Sequence, residues 1–379
     1  MIRKQASLLI RSAFLLLAIL LLFQQSRSQD LQQEISRIID SVRTAQKIPG
    51  ITATVIMQGK TIDQATGYSD TVERTALRPE HKMLAGSTGK MYFAISAMKL
   101  AGEGKLDLDA PVKKYLGKYD WFQRVPNADS MTVRQLMNHT AGIQEYYGLG
   151  NFLERLRNEP DKIWRTSELV SYVFDQKPLF SPGSSFSYAD THYLLLQLII
   201  ENITGSSAFK YIQKHIIDRV GLKHTQPSLS RTIPALANGY SNPRSVFALR
   251  EPMLRNGVLI IHPGFEGGGG GFASNSHDLA TLVHALMHNN ILPARLVDEM
   301  KQEVAALQLG RNQFYGLGLQ IVRSPFGTSY GHSGWFPGYL SDVQYFPDLD
   351  VTIAVQFNTD AVRMQPKWVL NRIAGLLKR

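Results

Sequence analysis

The sequence has no cysteine, which excludes disulfides, thiolate nucleophiles and cysteine-ligated metals together. The fold must then be held by its core, and 44% hydrophobic residues provide ample material for one. No His-Glu-x-x-His occurs among the ten histidines, so a zinc hydrolase site is not expected. Blocks of like charge are also missing. The 41 Lys and Arg are interspersed with 31 Asp and Glu, which argues against a nucleic-acid partner. The glycine run Gly267–Gly271 is not followed by Gly-Lys-Ser/Thr and so is no phosphate loop. It reads as a tight turn close to another backbone, without chemistry of its own. No internal repeat is present, and no motif calls for a cofactor.

Long apolar runs are scarce as well. The one at the start, Ala13–Phe23, is 11 residues long, against roughly 20 for a bilayer-spanning helix. Arg3, Lys4 and Arg11 precede its end, and Gln24, Gln25 and Ser26 follow it. That basic–apolar–polar order is a secretory signal, with Ser26-Arg27-Ser28 placing cleavage before Gln29. With no cysteine, lipid attachment through an N-terminal cysteine is excluded. Removing residues 1–28 deletes four basic residues and no acidic one, lowering the net charge from +10 to +6. The expected protein is exported, periplasmic or secreted. Its mild positive charge is compatible with anionic cell-wall polymers.

From Gln29 onward, Leu31, Ile35, Ile38, Ile39 and Val42 recur at helical spacing until Pro49-Gly50. Runs Ile51–Met57 and Thr61–Tyr68, joined by Gln58-Gly59-Lys60, read as a hairpin. A helix is expected from Ser87 to Ala101. The stretch from about 109 to 290 is dominated by helices, among them Val133–Met137, Ser167–Phe174 and Tyr193–Ile203. Strands return at Tyr315–Val322, Leu340–Phe346 and Val351–Phe357, followed by an amphipathic helix over Met364–Leu377. The pattern predicts an α/β fold: one sheet built from both ends of the chain, flanked by helices, with a helical lobe inserted.

Three short stretches can carry chemistry. In Ser87-Thr-Gly-Lys90 the serine and lysine share one helical face, so a neutral lysine amine could take the serine proton. Ser96-Ala-Met-Lys99 and Ser207-Ala-Phe-Lys210 repeat the spacing. Only Ser87 follows a glycine at a helix start, where its own N–H is free to bind an oxyanion. Tyr188-Ala-Asp190 follows a Pro182-Gly183 turn and could present a phenol to a cleft. His332-Ser333-Gly334 lies between two of the expected strands, where small residues would let a substrate lie along a strand edge. Singly, each also reads as an ordinary structural residue.

Together and in this order, they resemble the class C β-lactamase/D-alanyl-D-alanine carboxypeptidase family of penicillin-binding-protein-like hydrolases, whose motifs are Ser-x-x-Lys, Tyr-x-Asn and Lys/His-x-Gly. The stretches Thr132–Gly142, Leu195–Gly221 and Gly270–Leu279 add to the resemblance, which spans the chain beyond residue 28. It implies the serine β-lactamase/penicillin-binding-protein-like fold, acylation of Ser87, and proton transfer shared by Lys90 and Tyr188. It also implies an oxyanion hole from the N–H groups of Ser87 and Trp335. Asp190, His332, Ser333 and Gly334 would contact the substrate, and His139 would be structural. His332 in place of lysine is closer to the carboxypeptidases and D-aminopeptidases than to efficient β-lactamases. The family's asparagine is Asp190 here, and an ionised carboxylate cannot donate to a substrate carbonyl.

The expected activity is hydrolysis, without metal or cofactor, of peptides or amides with D-amino-acid ends, peptidoglycan stem peptide included. A broad esterase, a weak β-lactamase and a non-catalytic protein of the same fold remain as alternatives. The export signal gives the first test. Mass spectrometry of protein from its native host should find an N-terminus near Gln29, and retention of residues 1–23 would instead identify an anchor.

Overall fold

The computed structural model describes residues 29–249 and 252–378; the export segment at 1–28 lies outside them. Its main sheet has nine strands, all paired antiparallel: β1 (Gly50–Met57), β2 (Lys60–Asp70), β3 (Thr75–Ala76), β4 (Val304–Ala305), β5 (Gln313–Tyr315), β6 (Gln320–Ser324), β7 (Gly327–Phe336), β8 (Tyr339–Phe346) and β9 (Val351–Phe357). Their spatial order is β3-β2-β1-β9-β8-β7-β6-β5-β4. The two ends of the chain meet at its centre, where Ile51 pairs with Phe357 and Val55 with Ile353. The longer helices are α1 (residues 29–46), α2 (Lys90–Gly102), α3 (Asp190–Thr204), α4 (Ser276–Met287) and α5 (Pro366–Leu377).

The β1–β2 hairpin turns at Gln58-Gly59, with φ of 50° and 69°. Two consecutive positive φ angles match the right-handed twist of the strands they join. Both faces of β1 and β9 are buried, because helices cover the sheet on both sides. On one side, Ile35 and Ile39 of α1 and Val369 and Ile373 of α5 share a core with Ile353 and Val355. On the other lies α4, tied to β1 where the Thr54 and Ser276 hydroxyls meet at 2.9 Å. The helical region expected over 109–290 therefore includes one helix that belongs to the sheet layer.

Other boundaries also move. The expected strand Tyr315–Val322 is two strands, β5 and β6, interrupted around Gly318, whose φ is +77°. Residues 327–336, expected between strands, are the ten-residue strand β7. Ser87 lies in a 3₁₀ turn, Gly86–Gly89, that leads into α2. A small sheet of Met83–Leu84, Phe272–Ser274 and Gln226–Pro227 holds the chain just before Ser87 against the chain just after the glycine run.

Stability should follow burial. Ile353 is fully buried between the sheet and the terminal helices, so Ile353→Ala should cost about 2–4 kcal/mol. Thr132 makes a reciprocal capping box with Gln135, and Thr132→Ala should cost about 1 kcal/mol. Urea denaturation of the two variants would measure both; a larger loss at Thr132 would contradict the packing described.

Candidate active site

Ser87 is set in place by glycine. Gly86 has φ +56°, in the left-handed region, and a Cβ there would come within 2.5–2.6 Å of the Trp335 backbone. Only glycine allows this turn to press against β7. The contact brings the peptide of Trp335 beside the start of the turn that carries Ser87. In a first turn, the N–H of Ser87 has no intrahelical acceptor.

Lys90 enters α2 at its first residue and is completely buried. Its Nζ donates to Ser87 Oγ at 2.8 Å, Asp190 Oδ1 at 2.5 Å and the Gly269 carbonyl at 2.6 Å. The three segments lie far apart in sequence and meet at one nitrogen. An ammonium fills all three contacts as donor. A neutral amine fills them too, donating to Asp190 and Gly269 while its lone pair accepts from the Ser87 hydroxyl. Burial opposes the charge on Lys90, but the Asp190 carboxylate, with help from Tyr188, outweighs it and raises the lysine pKa.

Tyr188 packs beside this cation, its ring centre 4.7 Å from Lys90 Nζ. Its hydroxyl is buried, and no hydrogen bond of acceptable geometry ends on it among the described residues. Burial pushes its pKa up to about 12, with Lys90 pulling down and Asp190 pushing up. The ring rests on His139, centroids 4.2 Å apart. His139 Nδ1 lies 2.9 Å from His192 Nδ1 and 3.4 Å from the Ala189 N–H. Burial holds both rings well below the usual histidine pKa. His139 Nδ1 therefore accepts and His192 donates. His139 is thus a support beneath the tyrosine.

β7 is paired with β6 only through Gly331. Beyond that point its edge is free, and the Ser333 N–H is met by the side-chain carbonyl of Gln320 at 3.0 Å. Alternation then points the Trp335 N–H the same way, toward the cleft. The same alternation places the His332 side chain away from the Ser333 side chain. Its ring is buried on the opposite face, with Nε2 2.7 Å from the Tyr315 hydroxyl and Nδ1 2.5 Å from the Ser333 carbonyl. The carbonyl can only accept, so Nδ1 carries the proton and Nε2 accepts from Tyr315. Burial, then Lys90, lowers its pKa to about 3. His332 is thus a neutral, buried ring beside Tyr188, whereas Ser333 and Gly334 line the cavity.

The repeated spacings are resolved by environment. Ser96 is buried and donates to the Tyr92 carbonyl at 2.9 Å, while Lys99 pairs with Glu103 at 3.2 Å. Ser207 precedes the short helix Ala208–Ile212 and is not among the residues that line the cavity beside Ser87.

Two acids and a carbonyl were not foreseen. Glu145 Oε2 accepts from the Asp190 N–H at 2.7 Å, and burial with Asp190 nearby raises its pKa well above the usual range. Glu266 accepts from the Gly271 N–H at 3.1 Å, and burial pushes it up to about 8. The glycine run is the tight, close-packed turn expected, but it also supplies the Gly269 acceptor to Lys90. A Cβ at Gly269 would fall 2.6 Å from Asp190 Cγ. Ser87, Tyr188 and Asp190 line a cavity of about 570 Å³ that continues along β7. A hydroxyl beside a lysine, with two free N–H groups converging nearby, is the equipment for acyl transfer. Among the described residues no cluster of His, Asp or Glu could hold a metal ion.

The sequence profile of the beta-lactamase family matches residues 35–376. Among curated proteins, "Protein flp" of Staphylococcus aureus (strain MW2) is 28% identical over 199 residues, 52% of this chain and 39% of that protein. "Penicillin-binding protein 4*" of Bacillus subtilis (strain 168) is 24% identical over 284 residues, 72% of this chain and 60% of that protein. The matches thus span less than two thirds of these relatives' lengths. Among solved structures, a D-stereospecific amidohydrolase from Streptomyces sp. superposes with TM-score 0.77 at 27% identity, covering 90% of this chain and 96% of that one. D-amino acid amidase from Ochrobactrum anthropi SV3 gives TM-score 0.79 at 23% identity, with 92% and 100% covered.

The Lys90–Asp190 pair makes a prediction about ionisation. Asp190→Asn removes the carboxylate that stabilises the ammonium while burial persists, so the Lys90 pKa should fall. Titration of the Lys90 ¹³Cε resonance in both proteins would show it; an unchanged or higher midpoint in the variant would refute the assigned electrostatics.

Proposed function

The chain belongs to the beta-lactamase family, and from that premise we propose that it is an exported serine hydrolase acting through an acyl-enzyme on Ser87. The substrate proposed is a peptide or amide ending in a D-amino acid. The observation that carries the reading is the 2.8 Å contact between Ser87 Oγ and Lys90 Nζ, placed where the Gly86 turn abuts the Trp335 peptide. The activity named for the Streptomyces amidohydrolase supports the choice of D-amino-acid substrates.

In this reading neutral Lys90 takes the Ser87 proton as Oγ attacks the substrate carbonyl. The Ser87 and Trp335 N–H groups hold the oxyanion, a contribution of about 2.7–4 kcal/mol per donor in comparable sites. Collapse breaks the carbonyl–nitrogen bond, and the proton passes through Lys90 or Tyr188 to the departing amine. Water, deprotonated by the same groups, then releases the acid and restores Ser87. Asp190 keeps Lys90 charged, so the active form is scarce at neutral pH and activity rises toward alkaline pH. The same ion pair favours a second reading, a protein of this fold with little or no turnover.

One reagent separates the two. Ser87→Ala should abolish both hydrolysis of D-amino-acid amides and covalent labelling by a fluorescent penicillin, while Ser96→Ala should preserve them. Labelling lost in the Ser96 variant would overturn the assignment of the nucleophile. Wild-type protein that neither labels nor hydrolyses across pH 6–10 would establish the inert scaffold.

A further inference from the structure

The cavity does not stop at the nucleophile. From Ser87 and Tyr188 it continues past Ser333 onto the sheet face beneath α5, where Asp342 and Gln344 of β8 form its floor. Asp342 pairs directly with Ser333, and Gln344 with Gly331, so Asp342 shares a face with the residue that borders the cleft. Cross-strand partners have Cβ atoms about 5 Å apart. Asp342 is 5% exposed and Gln344 4%. The Gln344 amide donates to Asp342 Oδ1 at 3.1 Å, which leaves Gln344 Oε1 buried with no donor. A buried carboxylate and a buried unpaired carbonyl, side by side in a cavity open to the cleft, lack a donor of positive charge.

We propose that Asp342 and Gln344 form a subsite for a primary ammonium group on the substrate. The site lies two residues along β7 from Trp335 and one strand across, roughly 8 Å away. That is within reach of an amine-bearing side chain adjacent to the reacting carbonyl. Other groups facing the space are Ser329 and Ser333 of β7, Gln320 and Arg323 of β6, Val355 of β9, and Lys367 and Asn371 of α5. Arg323 is engaged by Glu303 at 2.5 Å. Lys367, exposed at the rim, is the in-chain cation whose field reaches Asp342. Burial holds the Asp342 carboxyl up to about 7. An ammonium binds the carboxylate form, so affinity should rise as pH passes upward through about 7, and binding below that pH should release a proton.

The assignment of this pocket as part of a substrate cleft rests on the hydrolase reading, but binding can be measured without turnover. Calorimetry would compare n-butylammonium with n-butanol at pH 5.5 and 8.5 on wild type, Asp342→Asn and Lys367→Met. The ammonium should bind at least tenfold tighter than the alcohol at pH 8.5 and lose that advantage at pH 5.5. Asp342→Asn should remove the preference, and Lys367→Met, which deletes the competing cation, should strengthen it. Equal binding of amine and alcohol, or a preference unchanged in Asp342→Asn, would overturn the subsite. Should Asp342→Asn fail to fold, a preference unchanged or weakened in Lys367→Met would overturn it equally. Ammonium binding with this pattern in a protein that hydrolyses nothing would uphold the subsite while rejecting the hydrolase reading.

Discussion

A fully buried lysine is the constraint around which the rest of the molecule is arranged. An isolated ammonium in a protein interior costs many kcal/mol and persists only when charge and hydrogen bonds compensate it. Lys90 has three acceptors, and each comes from a different part of the fold: Ser87 from the turn before α2, Asp190 from the start of α3, Gly269 from the glycine run. For these to meet, the helical region must fold back onto the sheet and the glycine run must pass without side chains. Gly268 lies against the Tyr193 carbonyl, Gly269 against Asp190 and Gly270 against Glu266. Backbone approach that close is a contact only glycine permits.

Much of the fold was legible because its central elements obey simple periods. Val351–Phe357 coincides with its expected strand, and Ile35, Ile39 and Val42 form the buried stripe of α1 that their spacing implies. Reading was poorest where no period exists. The strands Met83–Leu84 and Phe272–Ser274 are two and three residues long, too short to alternate, and they pair with each other from distant parts of the chain. The interruption between β5 and β6 depends on Gly318, which fits against Ala94 of α2. That is a tertiary demand which leaves no local mark.

The candidate site divides along the same line. Ser87 and Lys90 were legible because three residues on one helical face is a local geometry. Tyr188 and Asp190 were legible through family resemblance, and burial and hydrogen bonding then explain how they sit. The burial of His332 was not legible, because a motif specifies a residue type and not the face it occupies. The two-residue period of β7 turns His332 inward when Ser333 faces the cleft. Glu145 and Glu266 escaped notice altogether. Isolated glutamates among loops look solvated in a sequence, and only packing shows that both are enclosed near the same lysine. The repeated glycines carried the available signal for Glu266, since a run that must approach other backbones also encloses whatever lies beside it.

The carboxylate at Asp190 sets the energetics of the Lys90 site as well as its hydrogen bonding. The hydrogen-bond pattern around Lys90 is satisfied whether the nitrogen is charged or neutral, so no rearrangement is needed to pass between the two forms. What differs is their relative free energy. The Asp190 carboxylate favours the charged form of Lys90, while burial and the same carboxylate both raise the Glu145 pKa. The ionisations of Lys90 and Glu145 both depend on the Asp190 carboxylate between them, which favours charge on the lysine and opposes it on the glutamate. The geometry keeps the Ser87 hydroxyl and the Lys90 amine in contact while the neighbouring carboxylate favours the ammonium. In the hydrolase reading proposed above, turnover is then limited by how easily Lys90 gives up a proton, with the positions of the atoms already set.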